Sequence, residues 1–455
     1  MTGATHRSAE EIGRTERGPR PLPELGEPRP GRQPEVVDTV LDNGLRVLAA
    51  RHGSVPMVEL RLRIPFAGDD PSHPARAEVL AETLLTGTER RDRVRMDTDL
   101  AAVGGTLQAS VDPERLSVTG DALASGMDTL LDVLNDALTG ATYPEHEVNG
   151  ERERLVERIT VARSQPRVIA REELQRHRYG GHPFAREVPQ AADVAEVTTE
   201  QVRELHRRAV LPRGSTLVLV GDVDPHEAVD AVSRAFSGWQ STGSARELPE
   251  LPPVEGGDVR LVHREGAVQS QLRFSAQAVP RTDERYPALQ IANLVFGGYF
   301  SSRLVENIRE DKGYTYGAHS TFEFTPGNGT ILVDADTASE VTAAALLEIR
   351  YEFGRLALNP PTTAEVESAR QYAIGGLLTS TSSQAGLAST LMNLAALGLG
   401  QEWLASHPDR LRAVTVDEVA EAARWYVPTA FTGVVVGDAD QLGGQLRGLG
   451  GVTLP

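Results

Sequence analysis

Between Val58 and Phe66 the chain reads V-E-L-R-L-R-I-P-F, with an apolar side chain at every second position. Successive residues of a strand point to opposite faces, so this run predicts a strand with one buried face. Segments 36–51, 268–276 and 329–336 predict further strands. Segments 78–85, 286–296 and the long, highly charged 147–163 read as helices. Strands grouped with helices, without strict strand–helix–strand alternation, predict an α+β fold of packed layers rather than a doubly wound sheet.

Two stretches 217 residues apart read alike: Val197-Thr198-Thr199-Glu200-Gln201-Val202 and Val414-Thr415-Val416-Asp417-Glu418-Val419. Each leads through a helical pattern to a proline, Pro212 or Pro428. An apolar strand follows, ending Leu219-Val220-Gly221-Asp222 or Val435-Val436-Gly437-Asp438. Thr198 and Thr415 are candidate N-caps, with Gln201 and Glu418 placed to close capping boxes. A period this long exceeds a solenoid unit and points to duplication of a whole domain. The Pro-, Glu- and Gly-rich segment 247–257 is the predicted linker between an N-terminal domain, 37–246, and a C-terminal domain, 258–455. Residues 1–36, rich in Pro, Arg, Gly and Glu, predict a disordered tail.

Composition narrows the function. A chain of 455 residues suggests about three domains, or two large ones. With 46 Lys+Arg against 64 Asp+Glu the net charge is −18, which argues against nucleic acid, whose phosphates demand basic side chains. No apolar run approaches the roughly 20 residues that span a bilayer, and the N-terminal stretch lacks the apolar segment of a secretory signal. The expectation is a cytoplasmic protein with no membrane partner. The absence of cysteine excludes disulfides, thiolate zinc sites and a cysteine nucleophile. None of the 11 histidines lies four residues from another, so neither H-E-x-x-H nor H-x-x-E-H occurs. His177 and His182 flank a Gly-broken stretch that cannot hold both on one helical face. G-x-S-x-G is absent as well.

Five stretches carry a resemblance: LDNGLRVLAA (41–50), AEVLAETLLTGT (77–88), ERERLVERI (151–159), HPF (182–184) and GGYFSSRLVENIREDKGYTY (297–316). With them the chain resembles the pitrilysin/insulinase-like zinc metallopeptidases, the inverzincins. The likeness is to half-size, processing-peptidase-type members, over roughly residues 36–445. That resemblance implies two homologous α/β-layer domains forming half of a clam-shell. Active members carry H-x-x-E-H on a helix, whose two histidines share a face and reach one zinc. The glutamate between them is the general base, and a further glutamate ligand follows downstream. Counted back from Gly87-Thr88, the five positions here are Glu78-Val79-Leu80-Ala81-Glu82. Glutamates replace both histidines and Ala81 replaces the base. The family's downstream glutamate pair falls on Glu151 and Arg158, so the third ligand position, 76 residues past Glu82, holds an arginine. The resemblance thus implies that this chain binds no metal and cleaves nothing alone.

Glu78 and Glu82, one helical turn apart, otherwise read as a solvated face. With Arg158 at the third corner they imply a metal-free, salt-bridged relic in which a guanidinium takes the cation's place. A carboxylate-only site for Mg or Mn from Glu78, Glu82 and Glu151 is disfavoured, because Arg158 would repel the cation.

The family's arginine and tyrosine, seven residues apart in the C-terminal domain, are retained as Arg309 and Tyr316. Ser301 or Ser302 is the expected cap of a helix that buries Leu304 and Ile308 and ends at Gly313, followed by a strand over 314–324. By strand periodicity alone Tyr316 shares a face with Tyr314, Ala318, Phe322 and Phe324 and reads as a core tyrosine. By the resemblance, Tyr316 donates to a peptide carbonyl or oxyanion and Arg309 positions substrate. The chain is then the zinc-free subunit of a heterodimeric zinc endopeptidase. It lends Arg309 and Tyr316 in trans to a homologous partner that carries H-x-x-E-H and the zinc, and the substrate is peptide. The alternatives are an inert scaffold subunit, which has no use for the pair, and a peptide-binding maturation factor.

Overall fold

The alternating and apolar runs become two six-stranded mixed sheets in a computed structural model, which describes residues 34–240, 243 and 246–455. The first sheet comprises β1 (Val36–Val40), β2 (Arg46–Arg51), β3 (Met57–Pro65), β4 (Thr106–Val111), β5 (Arg115–Leu123) and β6 (Thr216–Gly221), in the order β1-β2-β6-β3-β5-β4. The second comprises β7 (Val259–His263), β8 (Gln269–Ala278), β9 (Thr315–Thr325), β10 (Asn328–Ala338), β11 (Thr432–Gly437) and β12 (Val452–Thr453), in the order β12-β7-β11-β8-β10-β9. In β3, Val58, Leu60, Leu62 and Ile64 are buried, as the alternation requires.

The duplication is visible in the pairing. β2 runs parallel to β6 as β7 does to β11, and β3 lies antiparallel between β6 and β5 as β8 does between β11 and β10. β4 and β9 are the equivalent antiparallel edges. Only the far edges differ: β1 joins antiparallel to β2, β12 parallel to β7.

Among the described residues eight helices accompany the first sheet: α1 (His73–Thr83), α2 (Arg93–Ala102), α3 (Met127–Gly140), α4 (Glu145–Ser164), α5 (Pro166–Tyr179), α6 (Ala191–Ala195), α7 (Thr199–Ala209) and α8 (Pro225–Ala235). With the second sheet come α9 (Tyr286–Asn293), α10 (Arg303–Val305), α11 (Thr342–Leu358), α12 (Thr363–Ser380), α13 (Gln384–Ala395), α14 (Gln401–Ala413), α15 (Val416–Ala423) and α16 (Ala439–Leu449). The repeated caps form as complete capping boxes, Thr198 with Gln201 on α7 and Thr415 with Glu418 on α15.

Two equivalent helices are exchanged between the halves. α5 leaves its own sheet and packs Ala170 and Leu174 against Val434 and Val436 of β11. α13 does the reverse, laying Leu387, Ala388, Leu391 and Met392 on Leu48, Ala50, Val218 and Val220 of β2 and β6. Burying each large aliphatic side chain contributes about 1.5–3 kcal/mol, so each half stabilises the other. Polar contacts reinforce the exchange: Arg178 of α5 donates to Ser275, Thr330 and Glu323, and Gln384 of α13 donates to the carbonyls of His52 and Val55. Residues Glu35–Pro455 accordingly form one compact unit.

Several local expectations need correction. The 36–51 segment is not one strand: Asn43-Gly44 turns it into the β1–β2 hairpin, with Gly44 at φ 87° and the Asn43 side chain accepting from Leu45 N–H. The 286–296 helix changes character at Leu294, continuing as a π turn, Leu294–Gly298. Segment 247–257 is irregular but not free, because Leu248, Leu251 and Val254 pack with Tyr179 and Phe184. The expected tail falls outside the described residues up to position 33, and Val36 already belongs to β1.

Candidate functional site

The helix that carries the motif positions, α1, buries Val79, Leu80, Ala81 and Thr83. Its remaining face sets Glu78 and Glu82 one turn apart. α4 buries Val148, Glu151, Leu155 and Ile159, a helical stripe that brings Arg158 alongside α1. The Arg158 guanidinium meets Glu82 at 2.6 Å, with its side chain half exposed. Among the described residues it forms no ion pair with Glu78. Glu151 points elsewhere, held by Arg93 at 2.8 Å and Arg154 at 2.6 Å. The hydrogen bond from Arg154, and behind it that from Arg93, keeps the Glu151 carboxyl below the usual range despite burial.

Glu78 lines a small cavity with His73, Asp112, Arg186 and Glu187. Burial, then the charge of Glu82, pushes its pKa up to about 7; Arg158 opposes this and Glu187 adds to it. Burial also raises Glu187. His73 is no substitute ligand, since its Nε2 is engaged with the Phe66 carbonyl at 2.7 Å. The donor set at the motif positions is therefore two carboxylates and a cation, with a methyl group where the base would be. These residues do not fit zinc, and no group of three metal-ligating side chains occurs among the described residues.

The C-terminal corner is built differently. After the first π turn, α10 begins at Ser302 and widens into a second π turn, Glu306–Asp311, which carries Arg309. Ser302 occupies the N-cap position, but its hydroxyl makes no capping bond and, among the described residues, is buried without a partner. Leu304 and Ile308 are fully buried, and Gly313 ends the turn at φ 64°, a conformation that favours glycine. The Arg309 guanidinium lies 4.9 Å from the centre of the exposed Phe300 ring, and its ion-pair partner is its neighbour Glu310, at 3.4 Å.

Tyr316 overturns its periodicity-based reading as a core residue. In the β9–β10 ladder, Thr315 pairs with Thr337 and Ala318 with Ala335, so β9 carries one residue more than its partner. This bulge at Tyr316-Gly317 resets the alternation, leaving Thr315 and Ala318 buried and Tyr316 98% exposed on an edge strand. Bulges and π turns are both over-represented beside functional sites. Gly317, an isolated glycine within a strand pattern, was the available signal for the bulge; Phe300 beneath Arg309 had none.

His182 accepts from Phe184 N–H in a short turn, and His177 bonds Thr432, so neither faces the two corners as a ligand. Among the described residues no hydrogen bond or ion pair joins the Glu78/Ala81/Glu82/Arg158 corner to Arg309 or Tyr316.

Comparison with known proteins gives two family matches, to insulinase (peptidase family M16) over residues 74–191 and to the peptidase M16 inactive domain over 196–372. An uncharacterized zinc protease of Streptomyces coelicolor is 26% identical over 300 residues, a match spanning 64% of each chain. One from Mycobacterium tuberculosis is 25% identical over 409 residues, 88% of this chain and 92% of the other. A probable inactive metalloprotease of Bacillus subtilis is 26% identical over 234 residues, covering 50% of this chain and 54% of its own length. The crystal structure of a peptidase M16 inactive domain from Pseudomonas fluorescens superposes with a TM-score of 0.80 at 21% identity, over 89% of this chain and 98% of that one.

Proposed function

The chain belongs to the M16 insulinase peptidase family, as a half-size member without the zinc motif, and from that premise we propose that it works as the metal-free subunit of a two-subunit peptidase. Its two halves, 37–246 and 258–455 joined through 247–257, act as one wall of a chamber that a homologous H-x-x-E-H subunit completes. Metal-bound water for hydrolysis comes from that partner, and peptide is the substrate. The assembly works in the cytoplasm; among the described residues no helix is long and apolar enough to cross a membrane.

The observation that carries this reading is the exposure of Tyr316 in a chain whose own metal corner is closed by Arg158 on Glu82. A core role would bury the ring, and a chain keeping its own chemistry would not place Arg158 on Glu82. Tyr316 instead offers its hydroxyl from a bulged edge strand, where it donates to a peptide carbonyl and to the oxyanion that develops there. Arg309, with one face on Phe300, keeps guanidinium N–H groups for the peptide's oxygens and sets its register.

Tagged chain is recovered from native lysate, and the eluate is assayed for cleavage of internally quenched peptides with and without a metal chelator. The reading expects chelator-sensitive cleavage that depends on a co-purifying H-x-x-E-H protein. A stable partner without peptidase activity would instead indicate a scaffold, and cleavage by the purified chain alone would overturn the alignment of the motif.

A further inference from the structure

We propose that Asn307 is a positioning residue for Arg309, acting through the fully buried Glu352; the inference rests on the role of Arg309 proposed above. A π turn is a rare interruption of an α-helix, mostly a single turn and frequently at a functional site. Side chains of α11 pin this one at two points. At the start of the turn, Asn307 Nδ2 donates to Glu352 Oε1 at 2.7 Å and to Glu348 Oε2 at 3.1 Å. Just past its end, Lys312 Nζ meets Glu348 at 2.5 Å, which raises the lysine above its ordinary range. Arg309 sits between these two pins.

The chemistry of the contact is directional. Both contacts are made by the Asn307 NH2 to carboxylate oxygens, so the amide is held with its NH2 toward α11. Among the described residues its carbonyl oxygen is buried without a partner. Glu352 is 0% exposed and has Arg355 as its other partner, at 3.0 Å. A buried carboxylate aimed at the turn makes the Asn307 contact a charge-assisted bond in a water-poor setting, stronger than a neutral one. The backbone bonds that lead from the turn into β9, Gly313 N–H to Arg309 O and Tyr314 N–H to Ile308 O, follow directly.

The test is a double-mutant cycle in the reconstituted complex with internally quenched peptide. Asn307→Ala is expected to lower kcat/KM about tenfold, the loss of one hydrogen bond to a charged group. In an Arg309→Ala background the same change should have no further effect. Because Asn307→Ala strands a buried carboxylate and can weaken folding, Asn307→Ala/Glu352→Leu, which removes donor and charge together, is measured alongside. A second readout uses the isolated chain: hydrogen exchange at the Gly313 and Tyr314 amides should rise about tenfold, with β2 and β6 unchanged. Equal losses in the wild-type and Arg309→Ala backgrounds, or unchanged exchange at Gly313 and Tyr314, would overturn the proposal. A complex indifferent to Arg309→Ala would overturn the parent reading and this one together. A complex sensitive to Arg309→Ala but not to Asn307→Ala would overturn this one alone.

Discussion

At the α1–α4 corner Arg158 is committed to Glu82, Glu151 is held by Arg93 and Arg154, and Glu78 is enclosed beside like charges. At the 306–316 corner Tyr316 stands 98% exposed, and Arg309 rests on an exposed phenylalanine, its ion-pair partner among the described residues being the adjacent Glu310. Both corners lie on the same duplicated scaffold, so their contrast does not come from the fold. It comes from side chains that turn inward at one place and from backbone irregularities, a bulge and two π turns, that turn them outward at the other. A subunit that only had to fold could have regularised the second corner as it neutralised the first.

The largest expected effect is at the outward corner. Tyr316→Phe removes one hydroxyl from the reconstituted peptidase and should reduce kcat about 100-fold or more, the usual loss of an oxyanion donor. Because the ring is fully exposed, the melting temperature of the chain should not move. A stability loss without a rate loss would reverse the comparison.

Next comes Glu78. Its folded pKa of about 7 lies above the ordinary 4.5. Between those values the folded chain holds a proton that the unfolded chain has released, so Glu78 lowers stability as pH rises through that window. Glu78→Gln removes the titration. Relative to wild type, the variant should gain stability from pH 4.5 to pH 7, by about 3 kcal/mol in all. Paired urea melts across this range check it, and parallel curves would show that the corner is more open than its packing implies.

The smallest effect belongs to Arg158→Ala. With the arginine half exposed, the pair with Glu82 contributes about 1 kcal/mol or less. Losing the cation should also move the Glu78 transition to higher pH, readable by carboxyl chemical shifts, since Arg158 is the charge that lowers it. A larger stability loss would mean that the guanidinium does occupy the centre of the former metal triangle.

Much of the architecture was legible because its signals are local. The capping boxes at Thr198 and Thr415, the closing strands before Asp222 and Asp438, and the alternation in β3 all lie within a few residues of the elements they specify. The helix exchange was not legible. Ala170 and Leu174 have the same apolar spacing whether α5 covers its own sheet or the other one, and only the tertiary contact with Val434 and Val436 decides. At the candidate site, residue identities at 78, 81, 82 and 158 told in advance that no imidazole cage could form. Burial of Glu78 and the direction of Tyr316 depend on packing and on one inserted residue in β9. Gly317 hinted at the second; nothing local hinted at the first.

The most direct test of the central contrast sets one variant from each corner side by side in the proposed two-subunit complex, Arg309→Ala and Glu82→Ala, with peptide turnover and partner binding both measured. The account predicts that Arg309→Ala loses turnover while keeping its partner, and that Glu82→Ala keeps both. Turnover that survives Arg309→Ala but is lost with Glu82→Ala would contradict it.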